Sequence, residues 1–159
     1  MEGAHPAELE DLECCARLLD AARRAAADLR GGPDLVAGSP SWTMGGPIPA
    51  DVLAASWSRD PRRRLLAGTF EGAVVGVAAG RLADGERGTV GIVECCYVDP
   101  AARGVGVGSA MAAALVTWFA TRGCTAVDAP ALPGDRSTKQ LFESLGFSAR
   151  LLLLHRRLP

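Results

Sequence analysis

The chain has 159 residues, a formal net charge of −1, 48% hydrophobic and 22% charged residues, which is the make-up of an ordinary globular protein with one core. So even a charge balance lacks the concentrated basic field that nucleic acid or an anionic membrane surface requires, and neither is expected as a partner. The five cysteines, Cys14, Cys15, Cys95, Cys96 and Cys124, form no C-x-x-C and have no histidine at zinc-finger spacing, so neither a metal centre nor a disulfide framework is expected.

The opening residues lack the basic segment and apolar core of a secretory signal, which makes a reducing cytoplasm the expected location. Residues 7–30 place Leu9, Leu12, Ala16, Leu19, Ala26 and Leu29 near one helical face, the pattern of an amphipathic helix. Gly31, Gly32 and Pro33 should end it. Any strand before it is only a few residues long. Residues 31–51 are rich in Gly, Pro and Ser yet carry Trp42, Met44 and Ile48. An irregular segment of that kind is either a lid or binding loop, or a loop whose tryptophan plugs the core. A short helix over residues 52–58 follows, stopped by Asp60 and Pro61.

Beyond Arg62, Arg63 and Arg64 the texture changes to strands. Residues 65–70 and 73–82, joined by Glu71 and Gly72, read as a β-hairpin. A second turn over 84–88 leads into a strand over 89–98 with two apolar faces, Val90/Ile92/Cys96/Val98 and Val93/Cys95/Tyr97, so it should be covered on both sides. Glu94 is the exception in it. A glycine loop comes next, then a helix over 106–121 and a strand over 124–129, the order of a right-handed βαβ crossover with parallel strands. The uncharged stretch between Arg103 and Arg122 is close to membrane-span length, but its glycines, threonines and alanines describe a buried helix in a globular core. Asp135 can cap a helix that runs to Leu145 and ends at Gly146. Residues 147–158 read as a closing strand.

Two segments carry a resemblance. Arg103-Gly104-Val105-Gly106-Val107-Gly108 directly follows a strand ending Val98-Asp99-Pro100, and Leu141-Phe142-Glu143-Ser144-Leu145-Gly146-Phe147 closes the next helix but one. Together with the order of elements, they resemble the acyl-CoA loop and the late helix end of the GNAT superfamily of N-acetyltransferases. The resemblance implies a single α/β domain over 1–159, a mixed, mostly antiparallel sheet flanked by helices, with the βαβ unit carrying the loop. It implies acetyl-CoA as acyl donor and a primary amine as acceptor, with the 31–51 loop as acceptor-site lid and a homodimer as a common assembly.

The same resemblance carries over onto single residues. The pyrophosphate would lie on Arg103, Gly104, Val105, Gly106, Val107, Gly108 and Ser109, where glycines uncover N–H groups at a helix start. The pantetheine arm would pair with the backbone from Cys96 to Val98, where a bulge splays the sheet. Phe142 stands where many members of the family place a tyrosine that protonates the departing thiolate, and a phenyl ring has no proton to give. Glu94 is the candidate base, as a carboxylate in an apolar strand, with the alternative that it is a structural partner of an arginine. Tyr97, the only tyrosine, is the other catalytic candidate, and His155 a second candidate base. A different reading remains beside the enzyme: a module that binds acyl-CoA without turning it over, which Phe142 favours. A dinucleotide site built on Gly104, Gly106 and Asp128 fits less well, because Ser109 replaces its third glycine.

Overall fold

The structure, a computed structural model, describes residues 1–38, 48–57, 59–156 and 158. Five strands form one open sheet in chain order: β1 (Glu2–Pro6), β2 (Arg63–Phe70), β3 (Ala73–Gly85), β4 (Gly88–Val98) and β5 (Ala126–Asp128). The first four pair antiparallel, and β5 runs parallel to β4. Both hairpins follow from their turn residues. At the first, Glu71 and Gly72 both take positive φ (49° and 82°) between the paired Phe70 and Ala73, the backbone that a two-residue connection between twisted strands demands. The parallel partner confirms the βαβ crossover expected around the glycine loop.

Among the described residues, five α-helices cover the sheet. On one face α1 (Leu12–Ala27), α2 (Gly32–Gly38) and α3 (Ala50–Trp57) pack on Leu65, Ala67, Val77, Ala79 and Cys95. On the other face α4 (Val107–Thr121) and α5 (Arg136–Ser144) enclose Leu66, Ala78 and Val93. The helix α4 is apolar nearly all round, and it sits very low on the sheet. Beneath it, β2, β3 and β4 offer Gly68, Gly76, Gly80 and Gly91, where an added Cβ would meet Met111 at 2.5 and 2.7 Å and Phe119 at 2.7 and 2.5 Å respectively. The two large side chains therefore fill grooves that any other residue would close. At its far end, the guanidinium groups of Arg64 and Arg122 lie over the Trp118 ring at 5.3 and 5.7 Å.

Three expectations need correction. The segment 31–51 is not irregular throughout: α2 begins at Gly32 and α3 at Ala50, and Pro33 serves as an early helix residue where its missing N–H is not needed. Trp42 and Met44 lie outside the described residues. Second, the faces of β4 are not those of strict alternation. Val93 packs in the α4 layer with Cys96 and Val98, whereas Cys95 and Tyr97 pack in the α1 layer. The cause is a register shift: Gly80 pairs with Val93 and Ala79 with Cys95, so Glu94 is an extra, bulged residue that resets the alternation. The bulge lies two residues before the expected Cys96. Third, residues 147–158 form no strand among those described; Leu151 to Leu154 are between 76% and 89% exposed. An apolar run is legible in sequence, but a strand needs an edge to pair with, and none meets it here.

Because Gly91 faces the Phe119 ring, which is completely buried, Gly91→Ala should lower the unfolding free energy by about 1–3 kcal/mol, the usual cost of overpacking. Urea denaturation measures it, and adding Phe119→Leu should recover part of the loss by vacating the groove.

Candidate functional site

The site begins where the sheet opens. Pairing between β4 and β5 covers Val90 with Ala126, Gly91 with Val127 and Ile92 with Asp128, and goes no further, so the β4 backbone from Val93 to Val98 is left beside a gap. The Glu94 bulge adds twist at that point. A cleft of about 870 Å³ follows this gap; among its walls are β4 from Val93 to Val98, the loop after it, the start of α5, and Ala22, Ala26 and Leu35 of α1 and α2.

The loop is built by short local contacts. Past Val98, the Asp99 N–H donates to Val75 O at 2.8 Å, and the Asp99 carboxylate accepts from the Ala101 N–H at 3.0 Å to hold a 3-10 turn at Pro100–Ala102. Arg103 then turns back: its Nε donates to Val98 O at 3.2 Å, and its guanidinium lies 5.7 Å over the Tyr97 ring. Gly104 and Gly106 take φ of 84° and 91°, a left-handed backbone that L side chains resist, and Gly106 is the N-cap of α4 without any side-chain cap. The first helical hydrogen bond runs from the Ala110 N–H to Gly106 O. The N–H groups of Val107, Gly108 and Ser109 thus stand at a helix start with no carbonyl of the helix to accept them, in the positive end of the helix dipole.

Of the seven loop residues singled out from sequence, Arg103, Gly104, Gly106, Val107, Gly108 and Ser109 line the cleft. Val105 packs with the α4 layer. Cys96 and Val98 line the cleft, as do Glu94, Tyr97 and Phe142. Phe142 is buried, with its ring 5.1 Å from that of Phe147. His155 is exposed on the unpaired tail and is not among the cleft residues.

Glu94 is buried and accepts from the Arg81 Nε at 3.1 Å. Arg81 pairs with Ile92 across β3 and β4, so the two charged side chains are diagonal neighbours on adjacent strands. The arginine partner is present, and the carboxylate still borders the cleft. Burial pushes the Cys96 thiol up to about 12, and the Cys95 thiol well above its ordinary value with help from the neighbouring Cys96 and Glu94. Both are thiols at neutral pH, and a thiol without its thiolate is a poor nucleophile.

Asp135 is the helix cap expected from sequence. Its carboxylate accepts from the Thr138 N–H at 3.1 Å and from the Ser137 hydroxyl at 2.9 Å, which puts the α5 N-terminus into the same cleft as Arg103. The small apolar residues of α1 were missed altogether, since alanine spacing carries no functional signal. Among the described residues no group of three or more His, Cys, Asp or Glu is placed to hold a metal, and no helix is long and apolar enough to cross a membrane.

Desolvation alone would raise the Asp135 carboxyl, but the Thr138 and Ser137 hydrogen bonds and the Arg103 charge outweigh it and hold it below its ordinary value. The charged cap's contribution is therefore complete above the unfolded carboxylate value and disappears as pH falls through the lower folded one. Comparing the parent with Asp135→Ala across pH should show a gap of about 1 kcal/mol at neutral pH that closes in acid.

Against known proteins, the sequence profile described as the acetyltransferase (GNAT) family matches residues 37–147. No curated protein sequence matches significantly. Among solved structures, a ribosomal-protein-alanine N-acetyltransferase from Brucella melitensis biovar Abortus 2308 superposes with a TM-score of 0.68 at 19% identity, covering 100% of both chains. An aminoglycoside acetyltransferase from an uncultured soil metagenomic sample gives 0.71 at 13%, over 99% of this chain and 95% of that one. A transcriptional regulator from Bacillus halodurans C-125 gives 0.69 at 19%, over 99% and 100%. These likenesses share the fold across proteins whose stated roles differ.

Proposed function

The chain belongs to the GNAT acetyltransferase family, and we propose that it moves the acetyl group of acetyl-CoA to a primary amine by direct attack on the thioester. The observation that carries this reading is the run of β4 beyond Ile92, paired with β3 on one side but no longer with β5 on the other, continuous with a loop of glycines at the start of α4. A long donor with an anionic end and an amide-bearing arm fits that pair of features. The N–H groups of residues 107–109 and the Arg103 guanidinium suit the pyrophosphate, and the backbone from Cys96 to Val98 suits the amides of the arm. Acetyl-CoA supplies an acyl group already activated as a thioester.

In this reading a neutral amine nitrogen attacks the acyl carbon. The C–N bond forms as the C–S bond breaks; the nitrogen gives up a proton, and the leaving sulfur takes one. Glu94 is the group assigned to accept the amine proton, held in place by Arg81. Tyr97 is the phenol on the donor strand. Burial of Cys95 and Cys96 as thiols agrees with transfer without an acyl-enzyme. The acceptor would enter between α1 and the residues after β5. Five free thiols agree with a reducing cytoplasm. The second reading, an acyl-CoA-binding module without turnover, rests on Phe142, a phenyl ring at the cleft wall that has no proton to give.

Saturation with acetyl-CoA at a hundred times its dissociation constant should add about 2.7 kcal/mol of stability, a rise of roughly 5–10 °C in Tm for a chain of this size. Thermal melts with acetyl-CoA and with a nicotinamide dinucleotide test it, and a rise only with the latter would sink the reading. Free-thiol release from acetyl-CoA over a panel of amines separates the two functions, since turnover excludes a pure binding module. On an accepted amine, Glu94→Gln should lower kcat by at least ~10²-fold, the usual share of general-base catalysis, with the acetyl-CoA melting shift retained. Full activity in that variant would remove Glu94 from the mechanism.

A further inference from the structure

The basic run at the start of β2 divides among three environments. Arg62 is exposed and donates to the Asp84 carboxylate at 2.8 Å. Arg63 takes the α1 face, its guanidinium 5.2 Å from the Trp57 ring centre and its Nε 3.6 Å from an Asp60 oxygen. Arg64, one residue on, takes the opposite face, where it lies over Trp118 beside Arg122. Among the described residues Arg64 has no ion-pair partner, and its Nε is buried without an acceptor. An aromatic face attracts the cation but accepts none of the N–H groups at the edge of the guanidinium plane. Burial and the nearby Arg122 charge both act against the Arg64 cation and lower its pKa. Arginine nevertheless keeps its proton at neutral pH, so a half-buried cation stands here without a counter-charge.

These side chains frame a second cavity, of about 290 Å³, at the small end of the range that ligand sites span, roughly 300–1,000 Å³. It exists because β1 stops short. The β1–β2 ladder ends with Pro6 opposite Leu66, and after one more bond, from the Ala7 N–H to Leu65 O, the chain departs without covering Arg63 and Arg64. Arg122, just past the end of α4, borders the same space and donates to Pro61 O at 2.8 Å. Arg63, Arg64 and Arg122 thus share the cavity with a single carboxylate, Asp60, among the described lining residues. The carbonyl end of α4 contributes roughly half a negative charge, which leaves most of the positive excess unmatched. The remaining wall is apolar, with Ala7, Leu12, Trp57 and Leu65. None of the described lining residues is shared with the cleft. The two lie toward opposite ends of α4, a helix of 15 residues and so about 22 Å long.

We propose that this cavity binds a small organic carboxylate, its oxygens on Arg64 and Arg122 and its apolar body against Leu12, Trp57 and Leu65. A planar carboxylate matches the donor edge of a guanidinium, and it supplies the counter-charge that Arg64 lacks. The ring under both guanidiniums restricts them in advance, so binding orders little that is not already ordered. A phosphate would match the charge and leave the apolar wall bare, which favours the carboxylate class. The site stands apart from the acyl transfer proposed for the cleft and does not depend on it.

Isothermal titration calorimetry of the full chain with benzoate and with hexanoate should give saturable one-to-one binding, and benzamide, the same ring without the charge, should give none. Arg64→Gln should weaken benzoate binding at least ~10-fold, the usual share of a charge-assisted hydrogen bond. Arg122→Gln, on a different element, should do the same. Arg62→Gln should leave binding unchanged, because Arg62 and its partner Asp84 lie outside the cavity. Saturating acetyl-CoA should not displace benzoate. Absence of saturable binding by either carboxylate overturns the proposal, as does equal binding of benzamide or undiminished binding in both glutamine variants. Displacement by acetyl-CoA also overturns it, by putting the anion in the main cleft. Binding of inorganic phosphate where neither carboxylate binds rejects the carboxylate class.

Discussion

The depth at which α4 sits on the sheet governs the rest of the structure. Met111 and Phe119 reach the backbone of three strands only because glycines stand at 68, 76, 80 and 91. That close seat directs the helix N-terminus, and with it the loop at 103–109, to the end of β4 where the sheet opens. It also determines where the chain leaves α4 and so where β5 can pair. Packing density, more than any polar contact, positions that loop.

A second constraint is a single extra residue. Glu94 opposes no residue of β3, and its insertion turns Cys95 and Tyr97 to the α1 layer while Cys96 and Val98 face α4. Without the bulge Tyr97 would sit on the opposite face. The same insertion brings a carboxylate to the cleft in reach of Arg81, and the increased twist coincides with the end of the β4–β5 ladder. One local irregularity thus supplies the carboxylate and the tyrosine together, next to the end of the β4–β5 ladder, and bulges are common beside sites.

The electrostatics of the cleft divide along its length. Its loop end gathers helix N-terminal N–H groups, Arg103 and the α5 cap at Asp135, a mainly donating surface. Its α1 end is walled by small apolar side chains, with Glu94 already matched by Arg81. Cys95 and Cys96 between them, held as thiols, add no charge. Such a division suits an anionic donor anchored at one end and an uncharged reacting centre in the middle, in keeping with the proposed transfer.

Much was legible before any coordinates. Periodicity and turn residues marked both hairpins, α1, α4 and α5, because each depends on neighbours within a few positions. The glycine loop announced its helix start because positive φ and uncovered N–H groups are local properties of glycine. What alternation could not foresee was the Glu94 bulge, since its cause is the register with β3. Nor could it foresee Arg81 as the partner of Glu94, thirteen residues away in sequence, or the alanines of α1 as a cleft wall. The leucine run looked like a strand for sound reasons of composition, yet a strand exists only against an edge. By itself the sequence determined both hairpins, α1, α4, α5, the family and the glycine loop; only the tertiary structure decided which face each β4 side chain takes and which edges remain open, because both depend on pairing between segments that are distant along the chain.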